Sequence, residues 1–384
     1  MDKVYIKKCE SYNYDLIYSI IKDSIEKLGG IEKYIKPKET VFIKANLLMA
    51  EKPEKGVTTH PVFVKAVGNY LINENKNEVI VGDSPGGPYN KKMLMKVYEE
   101  CGYIDAFSDT DIKLNMNFDS KKISFDGGKL LKSITLIDGI LNVDKVISLS
   151  KLKTHGMMKY TGAVKNMFGT IPGILKAEFH FKMPKVENFA DMLIDVCLAS
   201  KPVLSFMDGI VGMEGAGPSG GEIVKSEVVL VSDNPFALDL IASNLIGMDP
   251  ITVPTIDNSI HRDLITGNIS DIKILGDEIS SFNIKPFITP KITKIDFLDN
   301  ILPKKLARMI NNYIKPKPIF NKDKCIKCRI CYNSCPANTI IMEKGEYPKL
   351  NIDGCISCFC CQELCPENAI DIKRPWILDK ILND

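Results

Sequence analysis

The feature that most limits what this chain can fold into is a cysteine spacing that occurs twice near its carboxyl end. Cys325-x-x-Cys328-x-x-Cys331-x-x-x-Cys335-Pro336 is followed by Cys355-x-x-Cys358-x-x-Cys361-x-x-x-Cys365-Pro366, each cysteine recurring at an offset of thirty residues. Asn338 and Ile340 recur as Asn368 and Ile370 at the same offset. Iron favours thiolate sulfur, and a four-iron cube takes four such ligands. Three cysteines two residues apart wrap one cube in a tight loop, while the fourth, displaced and followed by Pro, reaches the other cube. Cluster I is thus assigned to Cys325, Cys328, Cys331 and Cys365, and cluster II to Cys355, Cys358, Cys361 and Cys335. A pair of zinc sites or a disulfide framework is the alternative, but zinc needs neither the third cysteine nor the Cys-Pro of each repeat.

Over roughly residues 320–373 this pattern resembles the bacterial two-cluster ferredoxins. The resemblance implies two [4Fe-4S] clusters as cofactors, single-electron chemistry, and an electron donor or acceptor protein as partner. Four cysteines fall outside the pattern. Cys9, Cys101 and Cys197 read as structural. Cys360 stands beside a ligand, and the register of the repeat favours Cys361 over it.

The 384 residues suffice for two to three domains. With 45% apolar and 26% charged residues and a formal net charge of +2, the chain has ordinary globular composition and no dedicated nucleic-acid surface. No apolar run approaches bilayer length, so no membrane span is expected, and the start, Met1-Asp2-Lys3-Val4, lacks an apolar signal core, so no secretory signal is expected. Unpaired thiols and thiolate-bound clusters suit a reducing cytoplasm.

Upstream, strand and helix patterns alternate. Strands are expected at Val4–Ile6, Thr40–Lys44, Glu78–Val81, Lys145–Leu149, Val203–Met207 and Ser226–Val231, and helices at Tyr14–Leu28, Val62–Leu71, Lys91–Glu100, Asn188–Ala199 and Pro235–Ile246. Asp111–Leu136 reads as a hairpin about Asp126-Gly127-Gly128. This is an α/β fold with a mostly parallel sheet and flanking helices over residues 1–314, with room for two lobes divided near residues 150–200. Pro303–Ile314 reads as an amphipathic helix, residues 315–319 as a stiff linker, and residues 320–384 as a small α+β ferredoxin-like domain held together by its clusters.

In such sheets, sites lie in the loops after the strand carboxyl ends. Four loops there carry candidates. Lys44-Ala45-Asn46 joins Thr59-His60-Pro61, with Lys44, Asn46 and His60 as anion-binding candidates and Thr59 as a helix cap. Gly82-Asp83-Ser84-Pro85-Gly86-Gly87 offers Asp83 and backbone N–H groups, or simply a tight turn. The stretch from Lys151 to His180 holds two of the four histidines among lysines and small residues. There His155, Lys165 and His180 are catalytic candidates, and Lys153 and Asn166 binding candidates, for a small anionic ligand. Solvated lysines in a glycine-rich connection are the plainer alternative. Last, Asp208 opens a stretch to Gly221 with six glycines, read either as a mobile lid with Asp208 as a binding carboxylate or as an ordinary long loop.

Lys44-Ala45-Asn46, Thr59-His60-Pro61, Lys153-Thr154-His155-Gly156, Lys165-Asn166-Met167-Phe168-Gly169 and Asp208-Gly209-Ile210 together resemble the family called domain of unknown function 362, over about residues 35–250. That likeness implies a domain and no activity. The run from His155 through Gly162-Ala163-Val164-Lys165 to Pro172-Gly173 and His180 is more loosely similar to the nickel-dependent lactate racemases, whose Gly-Gly pair is here Gly162-Ala163. The expected function is a reductase or redox accessory enzyme that passes single electrons to a small anionic ligand. A non-catalytic electron carrier and a racemase-like metal enzyme are the alternatives.

Overall fold

The computed structural model describes residues 1–183, 185–289 and 316–373. The helix expected at Pro303–Ile314 and residue 315 of the expected linker lie outside them.

The strands of the main sheet are β1 (Lys3–Lys8), β2 (Thr40–Ala45), β3 (Glu78–Gly82), β4 (Lys113–Leu114), β7 (Lys145–His155), β8 (Lys159–Thr161), β9 (Pro202–Glu214), β10 (Glu222–Ser232) and β11 (Lys273–Gly276). They run β11-β1-β10-β9-β7-β2-β3-β4, with β8 paired to the end of β7. The ladders β1–β11, β9–β7, β7–β2, β2–β3 and β3–β4 are parallel. Strand β10 is antiparallel to both neighbours, so the sheet is mixed but largely parallel, as expected. A separate hairpin, β5 (Ser120–Ser124) with β6 (Ser133–Ile137), falls where the turn residues placed it.

Helices cover both faces, which is why the central strands are apolar on both sides. On one face α1 (Tyr14–Leu28), α2 (Pro61–Asn75), α3 (Lys91–Glu100) and the short α4 (Tyr103–Phe107) bury Ile21, Phe63, Val67 and Tyr103 against Ile43, Ile147 and Phe206. On the other, the short α5 (Asp138–Leu141) and α6 (Ala163–Asn166), then α7 (Gly173–Lys182), α8 (Val186–Ser200), α9 (Pro235–Leu245) and α10 (Pro254–His261) build a second core with Phe42, Met207, Phe189 and Leu240. Each such side chain contributes about 1.5–3 kcal/mol on burial. Local signals set the ends: Asn13 accepts the Leu16 amide at the start of α1, and Gly29, at φ 115°, closes it.

The carboxyl-terminal unit is small. Strand β12 (Lys317–Phe320) pairs with β15 (Ile370–Lys373), and β13 (Ile340–Ile341) with β14 (Lys349–Leu350). Lys317–Ile319, expected within the linker, therefore belong to a strand. Two one-turn helices, α11 (Ile330–Asn333) and α12 (Cys360–Glu363), follow matching loops. The repeat is structural: Asn338 and Asn368 both take the left-handed conformation (φ 51° and 46°), which Asn tolerates, and Ile340 and Ile370 share one small core with Cys331 and Cys361. Among the described residues no helix is long and apolar enough to cross a membrane.

Candidate functional site

The ends of β2 and β3, with Ser148 of β7 and Asn166 of α6, build a buried polar knot. The Lys44 Nζ lies 3.0 Å from Asp83 Oδ1 and donates to Asn166 Oδ1 at 2.9 Å and to the Ala45 carbonyl at 2.6 Å. Asp83 Oδ2 accepts the Leu47 amide at 2.7 Å, and Asn166 Nδ2 donates to the Lys44 carbonyl and to Ser148 Oγ at 3.0 Å each. Burial lowers the Lys44 ammonium below its usual range and the Asp83 charge opposes that. Gly169 permits this pair: a Cβ there would stand 2.0 Å from Asp83 Oδ1 and 2.2 Å from Lys44 Cε.

Lys165 and Asn166 sit on α6, a single turn that needs outside support. Asp239 of α9 supplies it, accepting the Ala163 and Val164 amides at 2.7 and 3.0 Å. The carboxylate comes so close that a Cβ on Gly162 would be 2.0 Å from its Oδ1, which explains why position 162 is a glycine.

A cavity of about 370 Å³ opens between this knot and the cysteine-bearing unit. Lys44, Asn46, Asp83, Lys165, Asn166, Lys176 and His180 form one side; Cys360, Glu363 and Leu364, from α12 and just after it, form the other. Lys165 makes no hydrogen bond or ion pair among the described residues, and burial lowers its ammonium while Glu363 opposes the shift. Lys176 donates to the Ser84 carbonyl and is pushed by burial down to about 7. His180 stacks on Phe189 at 4.3 Å, its Nδ1 has no partner, and burial pushes it down to about 4.

His155 stands behind this wall, fully buried at the end of β7. Its Nδ1 accepts the Met157 and Met158 amides, both at 3.1 Å, which leaves its proton on Nε2. That Nε2 lies 3.1 Å from Glu363 Oε1, in ion-pair range though not aligned as a hydrogen bond. Burial lowers His155, with the Lys165 charge adding to it. Burial alone would raise Glu363, but His155, Lys165 and His180 overcome it and hold the carboxyl down at about 2. The same unit is pinned elsewhere: Ser219 donates to the Glu363 carbonyl at 3.0 Å, and Leu364 occupies the space a side chain at Gly86 would take.

The eight motif cysteines fall into two groups. One small cavity is lined by Cys325, Cys328, Cys331 and Cys365, another by Cys335, Cys355, Cys358 and Cys361. Each set has three cysteines of one repeat and the Cys-Pro cysteine of the other. Thr339 places its amide and hydroxyl 3.3 Å from Cys335 Sγ, and the Ala369 amide is 3.3 Å from Cys365 Sγ. Cys328 is exposed, whereas Cys360, outside both sets, is buried and faces the large cavity.

Several sequence expectations need correction. His60 does not reach the cavity: its ring stacks on Tyr12 at 3.6 Å, its Nδ1 caps α2 and its amide donates to Asp208. Thr59, expected as that cap, donates to the Leu149 carbonyl instead. Asp208 does not end its strand; it lies within β9, 2.8 Å from Lys151 Nζ and 2.8 Å from the Tyr12 hydroxyl. The glycine-rich stretch after it is no lid: it continues β9 to Glu214 and turns back into β10, with the Thr154 hydroxyl and the Gly156 amide bonded to the turn. Lys153 points away from the large cavity. The Gly82–Gly87 loop does not lead straight into a helix, because α3 begins only at Lys91 with Asn90 as its cap; it packs instead against Gly173 at the start of α7. Glu363 and Cys360 carry no sequence signal for this site, since nothing in sequence spacing joins α12 to β7, and Lys176 reads only as one of several lysines near His180.

Fold and cysteine groups together define an α/β domain that carries a ferredoxin-type iron–sulfur domain. Residues 41–244 match the model described as domain of unknown function (DUF362), and residues 317–366 match the 4Fe-4S dicluster domain, which supports [4Fe-4S] binding and iron–sulfur electron transfer. The chain belongs to the DUF362 family. It is 32% identical over 259 residues to a thylakoid-associated protein of Synechocystis, covering 66% of this chain and 77% of that one. It is 47% identical over 32 residues to the pyruvate synthase subunit PorD of Pyrococcus furiosus, covering 8% of this chain and 30% of that one. The lactate racemase apoprotein of Thermoanaerobacterium thermosaccharolyticum aligns at TM-score 0.42 and 11% identity, over 64% of this chain and 56% of that one.

Proposed function

We propose that this protein is an iron–sulfur reductase acting on a small anionic ligand in the large cavity. The observation that carries the reading is that α12, which bears Cys361, also forms a wall of a cavity rich in lysine. Two [4Fe-4S] clusters, held by the two cysteine sets, supply single electrons when bound. Lys165, without a partner of its own, anchors the anion, and Asn166 and the Lys44–Asp83 pair fix the floor. Reducing an unsaturated bond by two electrons, drawn one at a time from a donor protein, consumes two protons. Lys176 at about 7 is suited to deliver one of them, and solvent the other. His180, neutral at pH 7, holds the ligand rather than acting as a strong acid, and His155 acts through Glu363 as a positioning residue. The exposed Cys328 puts the first set on the side where a donor protein has access.

The test is single turnover. Protein reduced with dithionite is mixed anaerobically with a panel of small carboxylate and phosphorylated oxidants. Saturable reoxidation by one of them, slowed at least about tenfold by Lys165→Met, supports the reading; no reoxidation by any sinks it.

A second reading has its own support. The local likeness to a pyruvate synthase subunit lies where a partner protein would exchange electrons, so the chain would serve as a carrier. Electron flow to a partner that survives Lys165→Met unchanged would favour it.

A further inference from the structure

Beside the large cavity lies a second, smaller space, here called the inner chamber, that shares part of its wall. Lys165 and Asn166 line both spaces, and Ser150, Lys151, Lys153 and Thr161 help close the inner one. Three lysine side chains facing one buried space are costly unless negative charge accompanies them. Lys151 has its counterion in Asp208, at 2.8 Å. Lys153 is 1% exposed and has no carboxylate in ion-pair range among the described residues; its Nζ donates only to the Val57 carbonyl, at 2.5 Å. A carbonyl dipole offsets only part of the desolvation of an ammonium. Burial, and after it the charges of Lys165 and Lys151, push Lys153 well below the usual lysine range. Lys165, on the shared wall, makes no hydrogen bond or ion pair among the described residues, although the Glu363 charge acts on it. Two lysines with no carboxylate in ion-pair range among the described residues, around a narrow space of about 20 Å³, offer a site for one negative group.

We propose that the inner chamber is an oxyanion site: Lys153 and Lys165 hold a phosphate or carboxylate at one end of the ligand, while its reducible end lies in the large cavity against α12. This rests on the reading of that cavity as a ligand site, and narrows the ligand to a molecule with an oxyanion set apart from the reacting group.

The experiment is isothermal titration calorimetry on the oxidised, cluster-loaded full chain with inorganic phosphate and with acetate, paired with thermal melts in anion-free buffer. The chamber binds at least one of the two, and which one distinguishes a phosphoryl from a carboxylate head. Lys153→Met weakens that binding about tenfold or more, because the ammonium that would pair with the anion has gone. If Lys153→Met does not fold, Lys165→Met, at a partly exposed position, must show the same loss of binding. Absence of binding by either anion overturns the proposal. So does unchanged affinity in Lys153→Met with a lowered melting temperature, which would make Lys153 a prop for the Val57 carbonyl. No reductant is present, so anion binding without turnover by any oxidant would sink the reductase reading and leave the inner site standing.

Discussion

The Glu363 carboxylate, two residues beyond one motif cysteine, lies 3.1 Å from Nε2 of His155, at the end of a strand in the other part of the chain. It is one of the contacts that fix the cysteine-bearing unit to the sheet edge. Removing it leaves a buried imidazole N–H facing nothing. Glu363→Ala is expected to cost about 1–3 kcal/mol, while Glu363→Gln, which keeps an acceptor, costs less. Denaturant unfolding of the cluster-loaded protein, followed at the cluster absorbance, measures both.

Acid should loosen the site before it protonates ordinary carboxylates. His180 has its pKa lowered from 6.5 to about 4, so the unfolded chain binds its proton more readily than the folded one. Stability from this residue is therefore full above about 6.5 and is lost as pH falls toward about 4, to the extent of about 3 kcal/mol. His180→Gln should flatten that part of the stability–pH curve; an unchanged slope would count against a buried neutral imidazole.

Lys176 predicts the opposite limb. Its pKa falls from 10.5 to about 7, so its proton is available below about 7 and withheld above. The rate of ligand-driven reoxidation should decline as pH rises through neutrality, and Lys176→Met should lower the rate and remove that decline. Stopped-flow traces across pH 6 to 9, a range of about three units chosen to bracket neutrality, give the profile directly.

Thr339 donates from both its amide and its hydroxyl side toward Cys335 Sγ. Hydrogen bonds to a ligand sulfur favour the reduced, more negative cluster. Thr339→Val keeps the amide and loses the hydroxyl, so the potential of the cluster held by Cys335 should fall by tens of millivolts while the other stays put. A redox titration monitored by electron paramagnetic resonance resolves the two.

How much of this was legible in the sequence depends on how far apart the cooperating residues lie. The cysteine sets could be read because each ligand is fixed by spacing within one repeat, and the exchange of Cys335 and Cys365 follows from the reach of a short chain. The sheet could be read because Ile43, Ile147 and Val231 lie in short apolar runs bounded by turns. Lys165, Asn166 and His180 were found because cations and small residues crowd after one strand. The errors share a cause. His60 and Asp208 do end up together, but around Tyr12, an aromatic no local pattern marks, and neither lines the large cavity. The Gly209–Gly221 stretch reads as a loop because its strand pairing comes from the sheet and not from propensity. Glu363 was invisible because its role exists only once α12 is docked on β7.

The most direct measurement of the central claim, that the second cysteine set adjoins the reacting cavity, is single-turnover reoxidation in two variants. Cys325→Ser removes a thiol from the exposed set and Cys358→Ser one from the set beside α12. After dithionite reduction, the account predicts that Cys325→Ser is still reoxidised by the small anionic oxidant and that Cys358→Ser is not. Loss in Cys325→Ser with retention in Cys358→Ser would contradict it.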